Sequence, residues 1–477
     1  MSSQSPRINK LLNDLLNAEP EVFPERAVIV TRSYAETEGE PIEVRQAKAL
    51  ANTLEGYPVI IHGEELVVGC KTIKPYCSPV YPEVSYEWLE EELDTLSTRK
   101  EQPFNVSEEV KKLLREEVFP YWRGKTVHAR LIEALPKELL EFHDSGYLFH
   151  YYLDRTIGHM VVNYEKVLRL GLNGIKEEIE NELTNVNCNV EGFYQKINLL
   201  KSMLILIDAA TKFSKRYAAE AERLANTEEN PHRKEELLNI AKICDWVPAN
   251  PARTFWEALQ SFFFVHLILN LESNSYAISP GRFDQYMFPY YERDVKRGKI
   301  TKDFAKELLQ CLWIKFNELT VAKSGGTAKQ STSYNDFQNL NVGGLTLDGE
   351  NAVNDLSYLI LEVAGDLKLP QPNLVALMCT RTPEDFWVKA IEVIRLGFGQ
   401  PALISDDMKT MMLLDKEIPL EDARGAAING CVEIAVPGKH HMASGGYLNL
   451  PKCLELALND GKDMLTKKQL GLKTGDP

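Results

Sequence analysis

In NGCVE, residues 429–433, a thiol and a carboxylate stand two positions apart between small residues, and His440 and His441 follow a few positions later. Three chemistries could use such residues: metal binding, nucleophilic attack by sulfur, or a sulfur that reacts while neutral. Metal binding fits poorly. Adjacent histidines point to opposite faces of a strand and diverge by about 100° on a helix, so His440 and His441 do not easily share one ion. No HExxH stretch occurs, and the eight cysteines (Cys70, Cys77, Cys188, Cys244, Cys311, Cys379, Cys431 and Cys453) form no CxxC pair. Hydrolytic attack would need a histidine and an Asn or Asp brought in from elsewhere, which the local sequence does not signal. An isolated free cysteine is most often a small core residue. Glu433 argues against that reading here. Side chains two apart in extended backbone share a face, and Gly430 and the Gly445-Gly446 pair leave the backbone open to close approach. A carboxylate beside a thiol raises the thiol pKa, which suits a neutral sulfur next to a base rather than a thiolate.

These residues need a large scaffold. The 477 residues suffice for two or three ordinary domains or one very large one, and 44% hydrophobic with 26% charged residues is the balance of a globular protein. A formal charge of −15 argues against nucleic acid and anionic membrane as main partners. The N-terminal stretch carries charges throughout and reads as an amphipathic helix, not a signal peptide. The most apolar segment, SFFFVHLILNLES, is too short to span a bilayer, so the expected location is cytoplasmic. Thin cysteine usage without a secretion signal argues against a disulfide framework.

The first 250 residues carry Leu, Ile and Val at helical spacing. Two more helical segments follow, PARTFWEALQSFFFVHLILNLES, with Thr254 as its N-cap, and KDFAKELLQCLWIKFNEL. Beyond residue 320 the short runs NLNVGGL, PNLVALMC and QPALISD read as buried strands alternating with helices. That alternation predicts an α/β core of parallel strands, barrel or open sheet, with NGCVE in a loop between two helices.

GCVE, followed by PGK and a Tyr-x-Asn-x-Pro helix start, resembles the cysteine loop of glycyl radical enzymes, the pyruvate formate-lyase-like superfamily. The resemblance runs from PERAVIVTRSYAETEGEPIEVRQAKAL through GEELVVGC, TIGH, SPGRFDQYMFPYYERD, LPQPN, LGFGQPALISDD and LEDAR to GLKTGDP, essentially the whole chain. It implies a pyruvate formate-lyase-like domain over residues 1–477: an incomplete ten-stranded α/β barrel with a largely helical N-terminal half. In such enzymes a glycine-centred radical converts the cysteine to a thiyl radical, which takes a hydrogen atom from the substrate. Cys431 matches that cysteine, and an uncharged thiyl needs no low pKa.

Pyruvate formate-lyase carries two adjacent cysteines, whereas Val432 follows Cys431 here. A single cysteine with Glu433 two residues on is similar to the eliminating branch, which includes B12-independent glycerol dehydratases and 4-hydroxyproline dehydratase. The resemblance implies that Glu433 removes the hydroxyl proton of the substrate radical, and that His159, in TIGHMVVNY, faces the departing group. Where the glycerol type has a His-Ser pair this chain has Tyr276-Ala277, and its cysteine-loop extension is one residue shorter. STSYNDFQNLNVGG and GGYLNL are closer to the 4-hydroxyproline type. Asp336 matches a residue able to hold an ammonium by a charge-assisted bond, and Ser331, Tyr447 and Tyr151 match substrate-pocket positions. The expected activity is therefore elimination of water from a small hydroxylated substrate. C–N, C–S or C–C cleavage on the same fold is the alternative.

The resemblance implies further partners: a radical-SAM iron-sulfur activating enzyme that installs the glycyl radical, and a second subunit in a homodimer. Family members continue to a glycine loop of the RVAGY type, which does not occur within residues 1–477. The chain is thus expected to be truncated, to lack the glycine radical domain, and to be inactive alone.

Overall fold

The computed structural model describes residues 4–149, 154–156, 158–331, 333–335, 337–440 and 446–475. Tyr151 and Asp336 lie outside these residues.

The N-terminal half is helical, as the periodicity predicts. Ser5 accepts from Ile8 N and Pro6 opens the first turn of Pro6–Leu16, whose Ile8, Leu11 and Leu15 are buried at helical spacing. The helix Phe193–Thr227 packs on Pro231–Trp246 and on Ile42–Gly56. Thr254 caps Phe255–Glu272 by accepting from Glu257 N, as expected. Phe262, Phe263 and Leu267 of that helix belong to one core with Phe316, Leu340 and Leu374, so the helical half and the strands share a single apolar interior.

Three of the five described sheets are parallel. Met160–Val161 pairs with Ile278–Ser279, and Gly281, just past that pair, bridges in parallel to Leu340. Asn339–Gly343 then pairs with Asn373–Met378, and that strand with Ala402–Ser405. Helices occupy the crossovers, Asp355–Leu367 before the strand Asn373–Met378 and Glu384–Ile394 before Ala402–Ser405. The described strands fall into four two-stranded sheets and one three-stranded sheet rather than one continuous wall.

Two expectations change. Ala402–Ser405 was expected to be buried, yet three of its four residues are exposed, because it forms the edge of its sheet and no described layer covers it. NGCVE, expected as a plain loop, is the turn of an antiparallel hairpin of Ala427–Asn429 with Glu433–Ala435. Gly430 supplies the positive φ of +57° that a short hairpin loop requires.

Candidate active site

The hairpin tip carries Cys431, exposed to solvent. Burial and then the Glu433 charge push its thiol pKa up, so the sulfur is a neutral S–H at physiological pH. That state suits a hydrogen-atom donor and does not suit an ionic nucleophile. Glu433 Oε2 accepts from Val432 N at 3.0 Å, which folds the carboxylate back over the turn.

His159 reaches the same place from the residue just before the strand Met160–Val161. It sits at φ +55°, and its N–H donates to Tyr276 O at 2.7 Å while Met160 N donates to Ala277 O at 3.2 Å. Ala277 is itself at φ +53°. Left-handed backbone at two non-glycine residues is a strained arrangement of the kind that accumulates at functional sites. Gly158 is required beside it, since a Cβ there would lie 1.6 Å from Tyr276 O. His159 Nε2 faces Glu433 Oε1 at 3.8 Å, too far for a hydrogen bond, with side chains 13% and 16% exposed. A Cβ on Gly430 would come within 2.5 Å of His159 Cδ2 and 2.6 Å of Glu433 Oε2. The space at Gly430, read from the sequence as room for substrate, is thus the space into which the imidazole and the carboxylate converge.

Behind His159 lies a stack. The Arg155 guanidinium rests 3.8 Å over the Tyr276 ring, whose centroid is 6.3 Å from that of His159 at 28° between planes. Arg155 is buried and donates Nε to Asn274 O at 3.0 Å. The hairpin root is fixed separately. Lys409 Nζ donates to Ala426 O at 2.7 Å and pairs with Asp406 at 2.8 Å. Burial brings the Lys409 ammonium pKa down to about 8 against the pull of Asp406.

The structure brings Cys431, Glu433 and His159 together. Ser331 ends the short helix Gly325–Gln330, and its described bonds run to Lys323 Nζ, at 3.4 Å, and to Gln102. Tyr447 is exposed in a two-residue strand paired with Phe149. A cavity of about 670 Å³ lies at the hairpin root, lined among others by Arg282, Tyr286, Gly425 and Pro437, and not by Cys431, Glu433 or His159. The sequence reading gave no ligand cluster, but His62, Glu65 and Cys70 bring ligand-type atoms within 4.8 Å of one another. Lys315 already supplies the positive charge there, bonded to Glu65. The stack on Tyr276 and the amides Asn339 and Asn341 under the hairpin were missed. Alternating asparagines in a strand read as buried were the signal, because a buried amide must bond to something.

A buried-rooted hairpin presenting a neutral thiol beside a carboxylate, set over parallel strands, defines a class. The pyruvate formate lyase-like family profile matches residues 1–477, and the chain belongs to that family. It is 38% identical over 475 residues to trans-4-hydroxy-L-proline dehydratase of Clostridioides difficile, covering 99% of this chain and 60% of that protein. It superposes on the glycerol-bound, B12-independent glycerol dehydratase of Clostridium butyricum with a TM-score of 0.95 at 41% identity, covering 100% of this chain and 60% of that one. Isethionate sulfite-lyase of Oleidesulfovibrio alaskensis is 34% identical over 486 residues, 99% of this chain and 58% of that protein. The chain thus spans about 60% of the length of these relatives.

Proposed function

We propose that this chain carries the cysteine half of a glycyl radical lyase that eliminates water from a small hydroxylated substrate, within a ten-stranded barrel completed by further polypeptide. The observation that carries the reading is the convergence of His159 and Glu433 at Gly430, one residue from the neutral thiol of Cys431. A glycine radical, installed by a radical-SAM iron-sulfur activating enzyme, would supply the one-electron chemistry, and Cys431 is the residue of this chain that would receive it.

The residues of this chain then divide the work. Cys431 Sγ takes a hydrogen atom from the carbon bearing the substrate hydroxyl, which makes that hydroxyl far more acidic. Glu433, already held over the turn, accepts its proton as an ordinary carboxylate. The neighbouring hydroxide leaves, and His159, facing Glu433, donates the proton it needs. The product radical recovers its hydrogen from Cys431. Ser331 and Tyr447, with Asp336 and Tyr151, are the proposed pocket residues, Asp336 suiting an amine-bearing substrate. The working enzyme is proposed to be a cytoplasmic homodimer. Among the described residues no helix is long and apolar enough to cross a membrane. A second reading, cleavage of a C–S or other bond at the same thiol, is favoured by the likeness to isethionate sulfite-lyase.

The test is to co-produce the chain with a polypeptide supplying the remaining part of the family fold and an activating enzyme. The product is offered diols, hydroxyproline, choline and hydroxysulfonates. Loss of water from one of them is expected; a panel from which none loses water ends the dehydratase reading. Cys431→Ser should abolish turnover while electron paramagnetic resonance still detects the glycine radical. Glu433→Gln should allow hydrogen exchange with substrate yet stop elimination.

A further inference from the structure

The hairpin arm leading to Cys431 is held to the parallel strands by side-chain amides. Asn341 Nδ2 donates to Ile428 O at 2.9 Å, and Ile428 N donates to Asn341 Oδ1 at 2.8 Å. Two residues earlier on the same strand, Asn339 Nδ2 donates to Gly430 O at 2.7 Å. From the neighbouring strand Ser279 Oγ donates to Asn429 Oδ1 at 3.1 Å, and it accepts from Asn339 N at 3.1 Å. Asn339, Asn341 and Asn429 are each no more than 2% exposed.

The spacing explains the fit. In a strand, residues i and i+2 share a face, and Asn339 and Asn341 are such a pair. In an antiparallel hairpin, alternate residues turn both backbone groups away from the partner arm. Ile428 lies between Ala427 and Asn429, which stand opposite Ala435 and Glu433. A carboxamide offers a donor and an acceptor side by side, as a peptide edge does. Asn341 therefore pairs with Ile428 as a neighbouring strand would. A slip of the hairpin by one residue would present Asn341 with a residue whose groups face the other arm.

We propose that Asn341 and Asn339 are positioning residues that set the register of the cysteine hairpin on the parallel strands, and with it the depth at which Cys431 and Glu433 meet His159. This deepens the reading of Cys431 as the reacting atom, but it can be tested without turnover.

The test measures alkylation of Cys431 by iodoacetamide across pH, read by peptide mass spectrometry on the native chain, with exposed Cys188 as internal reference. Among the described residues Glu433 is the charged group that acts on the thiol and raises its pKa, and His159 faces Glu433 at 3.8 Å. Asn341→Leu should let the hairpin, Cys431 and Glu433 together, lift from the strands and relieve the burial that is the first cause of the raised thiol pKa. The pH midpoint for Cys431 should fall, and its neutral-pH rate should rise by about threefold to tenfold while Cys188 is unchanged. Asn341→Asp keeps the acceptor for Ile428 N–H and loses the donor, so it should fall between wild type and Asn341→Leu. Asn339→Leu should do less than Asn341→Leu, since Asn339 gives the hairpin a single bond. A folded Asn341→Leu chain with wild-type midpoint and rate overturns the proposal. Should that variant not fold, hydrogen exchange on the unmodified chain decides. Slow exchange at Ile428 N–H is expected, and exchange as fast as in an open turn overturns the clamp. A substrate panel that yields no elimination would defeat the lyase reading while leaving these results standing.

Discussion

Two groups of ionisable side chains, one buried and one half-buried, are arranged in opposite ways. In the helical half, Lys315 bonds Glu65 and, at 2.9 Å, Glu318, with Cys70 Sγ at 3.9 Å. Burial works against every charge in this cluster, but the Glu318 and Glu65 carboxylates keep the Lys315 ammonium protonated. At the hairpin, His159 and Glu433 approach only to 3.8 Å and are kept apart by backbone constraints: the left-handed His159, Gly158 against Tyr276, and Gly430 between the two side chains. In the first cluster both carboxylates are in contact with their cation, so it serves the fold. The second is held by strands that converge from separate parts of the chain, and its polar groups face one another across a gap. A buried acid with a partner in contact is a structural element; one aimed at a partner it does not touch is poised for chemistry.

That contrast can be broken. Lys315→Met leaves Glu65 and Glu318 buried without their cation, and should cost about 3–5 kcal/mol in urea unfolding. Alkylation of Cys431 should not change. Replacing Lys315, Glu65 and Glu318 together by apolar residues should restore much of the loss; failure to do so would mean the cluster does more than satisfy itself.

A third buried group sharpens the point through pH. His266 is fully buried, taking a hydrogen bond from Tyr164 Oη on Nδ1 at 2.7 Å and giving one from Nε2 to Gln338 Oε1 at 2.8 Å. Burial lowers its pKa from 6.5 to about 4, the bond to Gln338 opposing. Between these values the unfolded chain binds a proton that the folded chain refuses. The stability contribution is therefore whole above pH 6.5 and lost as pH falls toward 4, by about 3 kcal/mol, in thermal unfolding followed across that range. A flat stability profile there would place a proton on His266 in the folded state.

The smallest effect on stability belongs to the site. Gly430→Ala at φ +57° should cost about 1–2 kcal/mol, since the tip is a turn that can give. Its Cβ would nevertheless displace His159 or Glu433. In the assembled enzyme turnover should collapse while the melting curve moves little, opposite to Lys315→Met.

The helices were legible because their periodicity and caps are local: Thr254 sits where the sequence places an N-cap, and the N-terminal stretch forms the helix its amphipathic pattern predicts. Strand positions were legible from Gly- and Pro-bounded apolar runs, as in Asn373–Met378. The exposure of Ala402–Ser405 was not, because an apolar run does not say what lies beyond it. Within the site, Cys431 and Glu433 were found together through their two-residue spacing. His159 was placed by likeness to a family. Its meeting with Glu433 depends on a backbone pairing between Gly158-His159 and Tyr276, 117 or more residues apart, which no local pattern encodes. The asparagines under the hairpin were overlooked for the same reason. Their partners are carbonyls and amides, which every residue carries and no sequence distinguishes.

The clamp also bears on the order in which the molecule assembles. The Asn341–Ile428 pairing closes an interval of 87 residues, whereas Asn339–Gly343, Asn373–Met378 and Ala402–Ser405 join one another across single helical crossovers. Long closures are entropically dear and are rewarded only once both partners are in place. The strands can therefore dock before the hairpin seats, and the seat can open while the strands hold. A nascent or partly opened chain would then show its thiol on an otherwise formed scaffold. The reactive sulfur is seated after the three-stranded sheet beneath it and can be released before that sheet opens.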